Sequence, residues 1–192
     1  MDNQLIYPLL FEPVLKDYLW GGRNLERLLG RNLPPGITAE SWEIAGHKDG
    51  TTKVKNGYFA GQPLTAVQER LGMELLGTRN TWAFDRGKFP WLIKLLDANR
   101  PLSVQVHPDD NYALTNEGNE LGKTEMWVVL HAENDAAIIL GLRTGVSAEL
   151  LRRAINEGNL NRYLHRLPVS AGDAVCVPAG TLHAILAGMV IA

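Results

Sequence analysis

The chain has 192 residues, of which 45% are hydrophobic and 21% charged, with a formal net charge of -2. These are ordinary values for one soluble globular domain. The charge supplies no basic footprint for nucleic acid, and no apolar run is long enough to span a membrane. Met1-Asp2-Asn3-Gln4 lacks the basic-then-apolar design of a signal peptide, and the single cysteine, Cys176, fits a reducing, cytoplasmic setting without disulfides. Cys176 lies in the run Ala174-Val175-Cys176-Val177 and reads as a small core residue rather than a nucleophile.

In chain order, residues 1–62 are dense in Gly, Pro and aromatics, as in Tyr18-Leu19-Trp20-Gly21-Gly22 and Ser41-Trp42-Glu43-Ile44. They read as short strands and turns. Leu64, Val67, Leu71, Leu75 and Leu76 have helical spacing, which predicts a helix over 64–77. Phe89-Pro90-Trp91-Leu92-Ile93-Lys94-Leu95-Leu96 is a near-continuous apolar run and predicts a buried strand, with Lys94 an unexpected charge inside it. Strands are predicted over 102–107, 125–131 and 136–142. A helix follows over 147–155, capped by Ser147 and stopped by Gly158. Strands return over 167–169, 173–178 and 183–186. Helical insertions near 63–78 and 147–164 thus interrupt a succession of short strands. The pattern favours a mainly β sandwich or barrel in a single domain, 1–192, over a doubly wound α/β fold.

Residues 102–110 read Leu-Ser-Val-Gln-Val-His-Pro-Asp-Asp. In a strand, Ser103, Gln105 and His107 share one face, and Leu102, Val104 and Val106 the other. A hydroxyl, an amide oxygen and an imidazole in a row suit a strand lining a metal or sugar pocket. Gly122-Lys123-Thr124-Glu125-Met126-Trp127 adds a carboxylate at Glu125 and an amine at Lys123. Pro178-Ala179-Gly180-Thr181-Leu182-His183 adds a second imidazole after a glycine turn. Two His, one Glu and an amide oxygen suit zinc, with iron or manganese as alternatives. Lys123 sits two residues before Glu125, where it either faces the same pocket or is a solvated loop lysine. His47, His131 and His165 have no partner motif and read as structural; Asp109-Asp110 reads as a turn. Glu40 and Glu43 read as surface or structural residues. Trp20 and Trp42 either stack on a sugar or pack.

The segment Gly172-x5-Pro178-x-Gly180-x2-His183 resembles the second motif of cupins. Residues 103–110, Gly122-Lys123-Thr124-Glu125-Met126-Trp127 and Pro178-Ala179-Gly180-Thr181-Leu182-His183-Ala184 together resemble type I mannose-6-phosphate isomerases, as do Trp20-Gly21-Gly22, Ala39-Glu40-Ser41-Trp42-Glu43 and the run from Phe89 to Lys94. The likeness runs in order along almost the whole chain. It implies a cupin, jelly-roll β-barrel with one Zn2+ per chain. It implies an aldose–ketose isomerase that interconverts mannose 6-phosphate and fructose 6-phosphate through an enediol. The family's zinc ligands fall on Gln105, His107, Glu125 and His183. Lys123 becomes the catalytic candidate, and Ser103, Lys94 and Trp20 the substrate-binding candidates.

Family members continue past the histidine motif and carry a glutamate and an arginine that have no counterpart here. The expectation is therefore a barrel incomplete at the C-terminus, with low or no turnover from residues 1–192 alone. The closing run Gly188-Met189-Val190-Ile191-Ala192 would leave an exposed strand edge open to self-association. The alternatives are a non-catalytic cupin that binds a metal or sugar phosphate, and a metal-dependent oxygenase. Gln105 speaks against the oxygenase, because a histidine is usual at that position.

Overall fold

The structure, a computed structural model, describes residues 6–118 and 120–192. Its contacts divide the chain into two compact units. Among the described residues, the first comprises 6–19 and 25–96, the second 20–24, 97–118 and 120–192. The first mixes short strands with helices and the second is mainly β, and the chain as a whole is mainly β with helical insertions, as the residue pattern led us to expect.

In the first unit the strands are β1 (Phe11–Glu12), β2 (Val14–Lys16), β3 (Glu40–His47), β4 (Gly50–Thr51), β5 (Lys53–Val54) and β6 (Leu92–Ala98), whose last two residues belong to the second unit. The helices are α1 (Asn24–Leu29), α2 (Leu64–Leu71), α3 (Met73–Leu76) and α4 (Thr81–Phe84). β3 is the hub and pairs antiparallel with β2, β4 and β6. A register shift between Trp42 and Ile44 bends it against β6. Val54, Phe59 and Val67 form a fully buried cluster, onto which Tyr7, Leu9, Phe11, Leu71 and Leu75 pack.

Two expectations change here. The helix over 64–77 is two helices, because Gly72 takes φ +53°, which ends α2 and redirects the chain into α3. The run 89–96 is not buried throughout. Its strand starts at Leu92, Trp91 and Ile93 are exposed, and full burial begins only at Leu96.

The second unit contains α5 (Asp110–Asn116), β7 (Glu125–Ala132), β8 (Ala137–Leu142), α6 (Ala148–Asn156), β9 (Leu164–Pro168), β10 (Ala174–Val177), β11 (His183–Ile185) and β12 (Met189–Ile191). β7 pairs antiparallel with β10 on one side and β12 on the other. β8 pairs with β11 and β9. Ile139, Leu164 and Ala184 form a buried cluster covered by Leu142, Leu160, Leu182 and Leu186. The Ser147 side chain accepts the Leu150 N–H at the start of α6, and Gly158 takes φ +68° just past its end, as predicted.

Four sequence readings need correction in this unit. Residues 102–107 are extended but form no ladder; one bridge, Gln105 to His183, ties them to β11. Leu102 N–H also donates to Ile185 O, so the segment lies along β11 with irregular spacing. Cys176 is exposed rather than core. It stands opposite Met126, itself exposed, on the outward face of the β7–β10 pair, and a strand with apolar residues on both faces gives no clue to which face is inside. The closing run is not an exposed edge, because Met189, Val190 and Ile191 are buried and β12 is hydrogen-bonded to β7. Finally, Asp109-Asp110 is the start of a helix. The Asp109 side chain accepts the Tyr112 N–H and caps α5.

Candidate metal centre

Three loops of the second unit converge on one place. His107 closes the extended segment that runs along β11. Its neighbours Val104 and Val106 are exposed, while Gln105 and His107 are half-buried. Over 104–107 the polar side chains therefore face inward and the valines outward. Glu125 opens β7, and His183 opens β11 directly opposite the Gln105 backbone. Gly180, at φ +81°, makes the turn that feeds β11, and its N–H donates to His107 O at 2.8 Å.

His107, Glu125 and His183 present one donor atom each, all within 4.8 Å of one another. Among the described residues this is the one group of three or more His, Cys, Asp or Glu side chains so arranged. Glu125 Oε2 lies 3.6 Å from His107 Nε2 and 3.3 Å from His183 Nε2. The imidazole rings are 4.8 Å apart, and Trp127 stands edge-on to His183 at 5.5 Å, walling the site with an apolar surface. Lys123 Nζ donates to Glu125 Oε1 at 2.9 Å and to His107 Nε2 at 3.1 Å. The last contact places the His107 ring proton on Nδ1.

His183 is 1% exposed, and its Nδ1–H donates to Thr181 O at 2.8 Å. That bond fixes the tautomer and turns the Nε2 lone pair inward, as a backbone carbonyl does for metal-bound histidines. Nε2 is buried and lacks a well-directed hydrogen bond, although Glu125 Oε2 is 3.3 Å away. Two lone-pair atoms facing each other in a buried site need a proton or a cation between them.

The electrostatics agree. Burial pushes the Glu125 carboxyl up, but His183, Lys123 and His107 together outweigh it and hold the group down at about 2. Burial disfavours the charged His183 ring, yet the Glu125 carboxylate and the Thr181 carbonyl raise its pKa above 6.5. At neutral pH the ionised Glu125 carboxylate has the His107 and His183 rings turned toward it. This donor set fits a divalent metal.

The other sequence candidates divide by location. Gln105, two residues before His107, is half-buried, and its backbone pairs with that of His183. Ser103 lies exposed on the same segment, two residues further back. Trp20 is half-buried in the second unit, and its carbonyl accepts N–H bonds from Asn99 and Arg100. Lys94 lies in the first unit, where its Nζ meets buried Glu40 Oε1 at 2.9 Å. Glu40 Oε2 also accepts the Trp42 indole N–H. Glu40 is buried rather than at the surface, and it supplies the partner that a half-buried lysine requires. That partnership joins residues 54 apart in sequence, so no local pattern announces it.

Fold and site together define a mainly β, cupin-like chain with a His–Glu–His cluster that could hold a metal ion. Residues 9–124 match the family described as "Phosphomannose isomerase type I, catalytic domain". Gln105, His107 and Lys123 lie inside that stretch, and Glu125 and His183 beyond it. The chain is 43% identical over 188 residues to the probable mannose-6-phosphate isomerase GmuF of Bacillus subtilis, covering 97% of this chain and 57% of that protein. It is 43% identical over 184 residues to the mannose-6-phosphate isomerase of Streptococcus mutans, covering 96% and 56%. The crystal structure of the mannose 6-phosphate isomerase from Bacillus subtilis superposes with a TM-score of 0.87 at 38% identity, covering 97% of this chain and 57% of that one. The chain belongs to the type I phosphomannose isomerase family and spans a little over half the length of these relatives.

Proposed function

We propose that residues 1–192 are the cupin-type catalytic portion of a zinc-dependent isomerase acting on mannose 6-phosphate and fructose 6-phosphate in the cytoplasm. The observation that carries the reading is the cluster itself. Three ligand atoms lie within 4.8 Å, and an ammonium touches two of the three residues. Gln105, His107, Glu125 and His183 would hold one Zn2+. When bound, zinc supplies Lewis acidity that polarises the sugar oxygens and stabilises negative charge on the enediol.

The remaining work falls to the chain's own residues. Isomerisation takes a proton from C2 of the aldose and returns one at C1, while the carbonyl moves from C1 to C2. Lys123 Nζ, held beside the ligands, donates to a substrate oxygen as charge develops there. The indole of Trp127 keeps water from one side of the His183 ring. Ser103, Lys94 and Trp20 are the substrate-binding residues of this reading, assigned by their motifs' likeness to the family.

The test is conversion of mannose 6-phosphate to fructose 6-phosphate by the protein as purified, after chelation, and after zinc is restored. The reading expects turnover by the isomerase that contains residues 1–192, lost with the metal and regained with zinc, and low or no turnover from residues 1–192 alone. Zinc bound near one equivalent without conversion would instead support a cupin that binds a metal or sugar phosphate without catalysis. No helix among the described residues is long and apolar enough to cross a membrane.

A further inference from the structure

We propose that Asp110 is a positioning residue for Lys123, an inference that rests on the isomerase reading above. Lys123 is a long side chain, 40% exposed, and its backbone lies outside any helix or strand. Something must hold it if its ammonium is to stay beside His107 and Glu125. The segment that carries it is latched onto the residues just after His107. Gly122 N–H donates to Asp110 Oδ1 at 2.8 Å, and Lys123 N–H donates to Pro108 O at 3.0 Å. Two successive residues are thereby fixed against 108–110.

The approach is close enough to require glycine. A Cβ on Gly122 would lie 2.4 Å from Asp109 C and 2.4 Å from Asp110 N, both backbone atoms with no freedom to move aside. The other side of the segment is tied as well, since Thr124 Oγ1 accepts the Ala179 N–H at 3.2 Å. Ala179 precedes Gly180, whose N–H reaches His107 O. The loops bearing His107, Lys123 with Glu125, and His183 therefore brace one another. Asp110 brings a carboxylate to this clasp from outside the ligand set. Its own helix start is already capped by Asp109, so α5 does not need the Asp110 carboxylate for that purpose.

Asp110 is exposed. If its role were only structural, its loss would leave the reaction unchanged, because surface substitutions of this kind move stability little. As a latch it sets where Lys123 sits, and a displaced catalytic group slows the chemical step more than it weakens binding.

The experiment compares the wild-type protein with Asp110→Ala and Asp110→Asn. It reads kcat and KM for mannose 6-phosphate, zinc content, and hydrogen exchange at the Gly122 and Lys123 amides. Asp110→Ala is expected to lower kcat about tenfold with KM little changed, zinc retained, and faster exchange at both amides. Asp110→Asn keeps an oxygen that can accept the Gly122 N–H and is expected to restore kcat and protection. Unchanged kcat in the alanine variant, equal damage in both variants, or loss of zinc along with kcat would overturn the assignment. If the isomerase that contains residues 1–192 binds zinc without converting the sugar, the isomerase reading fails instead. The exchange data then decide the latch alone. Protection lost in alanine and kept in asparagine supports it, and equal exchange in all three overturns it.

Discussion

Replacing Glu125 with glutamine keeps the shape of the side chain and removes the negative charge from the centre of the site. The drop of the Glu125 carboxyl from 4.5 to about 2 corresponds to about 3 kcal/mol favouring the ionised form in the folded chain. The side chain is 14% exposed, and solvent screening trims this to about 2 kcal/mol. Because the folded-state value is depressed, this stability is present in full above about 4.5. It is lost as pH falls toward about 2. His183 runs the other way. Its pKa is raised, so its share is present below 6.5 and lost as pH climbs through the raised value. In Glu125→Gln the carboxylate's contributions at both groups go, and His183 keeps the Thr181 carbonyl against the burial that favours its neutral form. The assay is urea unfolding of chelator-treated protein from pH 8 down to pH 3. The wild type should lose most of its ~2 kcal/mol advantage over the variant between pH 5 and pH 3. Parallel stability curves across the whole range would refute the charge balance described for the site.

Three further perturbations probe the scaffold and the centre. Gly180→Ala meets no neighbouring atom within 4 Å of the new Cβ, but it must hold φ near +81°. It should cost about 1 kcal/mol in thermal unfolding and weaken zinc binding, because this turn aims His183; unchanged metal affinity would separate the turn from the site. Ile138→Ala removes a fully buried side chain from β8 and should cost about 3 kcal/mol by chemical denaturation. A loss below 1 kcal/mol would mean that the β8 core is loosely packed. His107→Ala removes one of the three clustered ligands and should abolish most zinc retention at neutral pH.

The residues of the His107, Glu125 and His183 cluster were legible as candidates because each lies in a local pattern. Gln105 and His107 are two apart in extended backbone, which puts them on one side. The Pro178-x-Gly180-x2-His183 turn signals where the next imidazole emerges. What misled was the other side of the same strands. Val104, Val106, Met126 and Cys176 are apolar or nearly so, yet they point outward. An alternation of apolar and polar residues tells which side chains share a face, not which face is buried. Gly72 was invisible as a helix break because the apolar spacing continues past it into α3. Tertiary partnerships were also out of reach. The Asp110 carboxylate meets Gly122 twelve residues away, and Lys94 meets Glu40 fifty-four residues away. Both depend on loops or strands brought together by the fold, so an Asp-Asp pair after a proline reads as a turn and a lysine in an apolar run reads as an anomaly.

The most direct test of the account is metal content, measured on the wild-type protein and on His107→Ala after zinc loading and dialysis. The account predicts about one zinc per wild-type chain, from the single His107, Glu125 and His183 cluster, and little or none in the variant. Zinc absent from the wild type, or retained in full by His107→Ala, would contradict it.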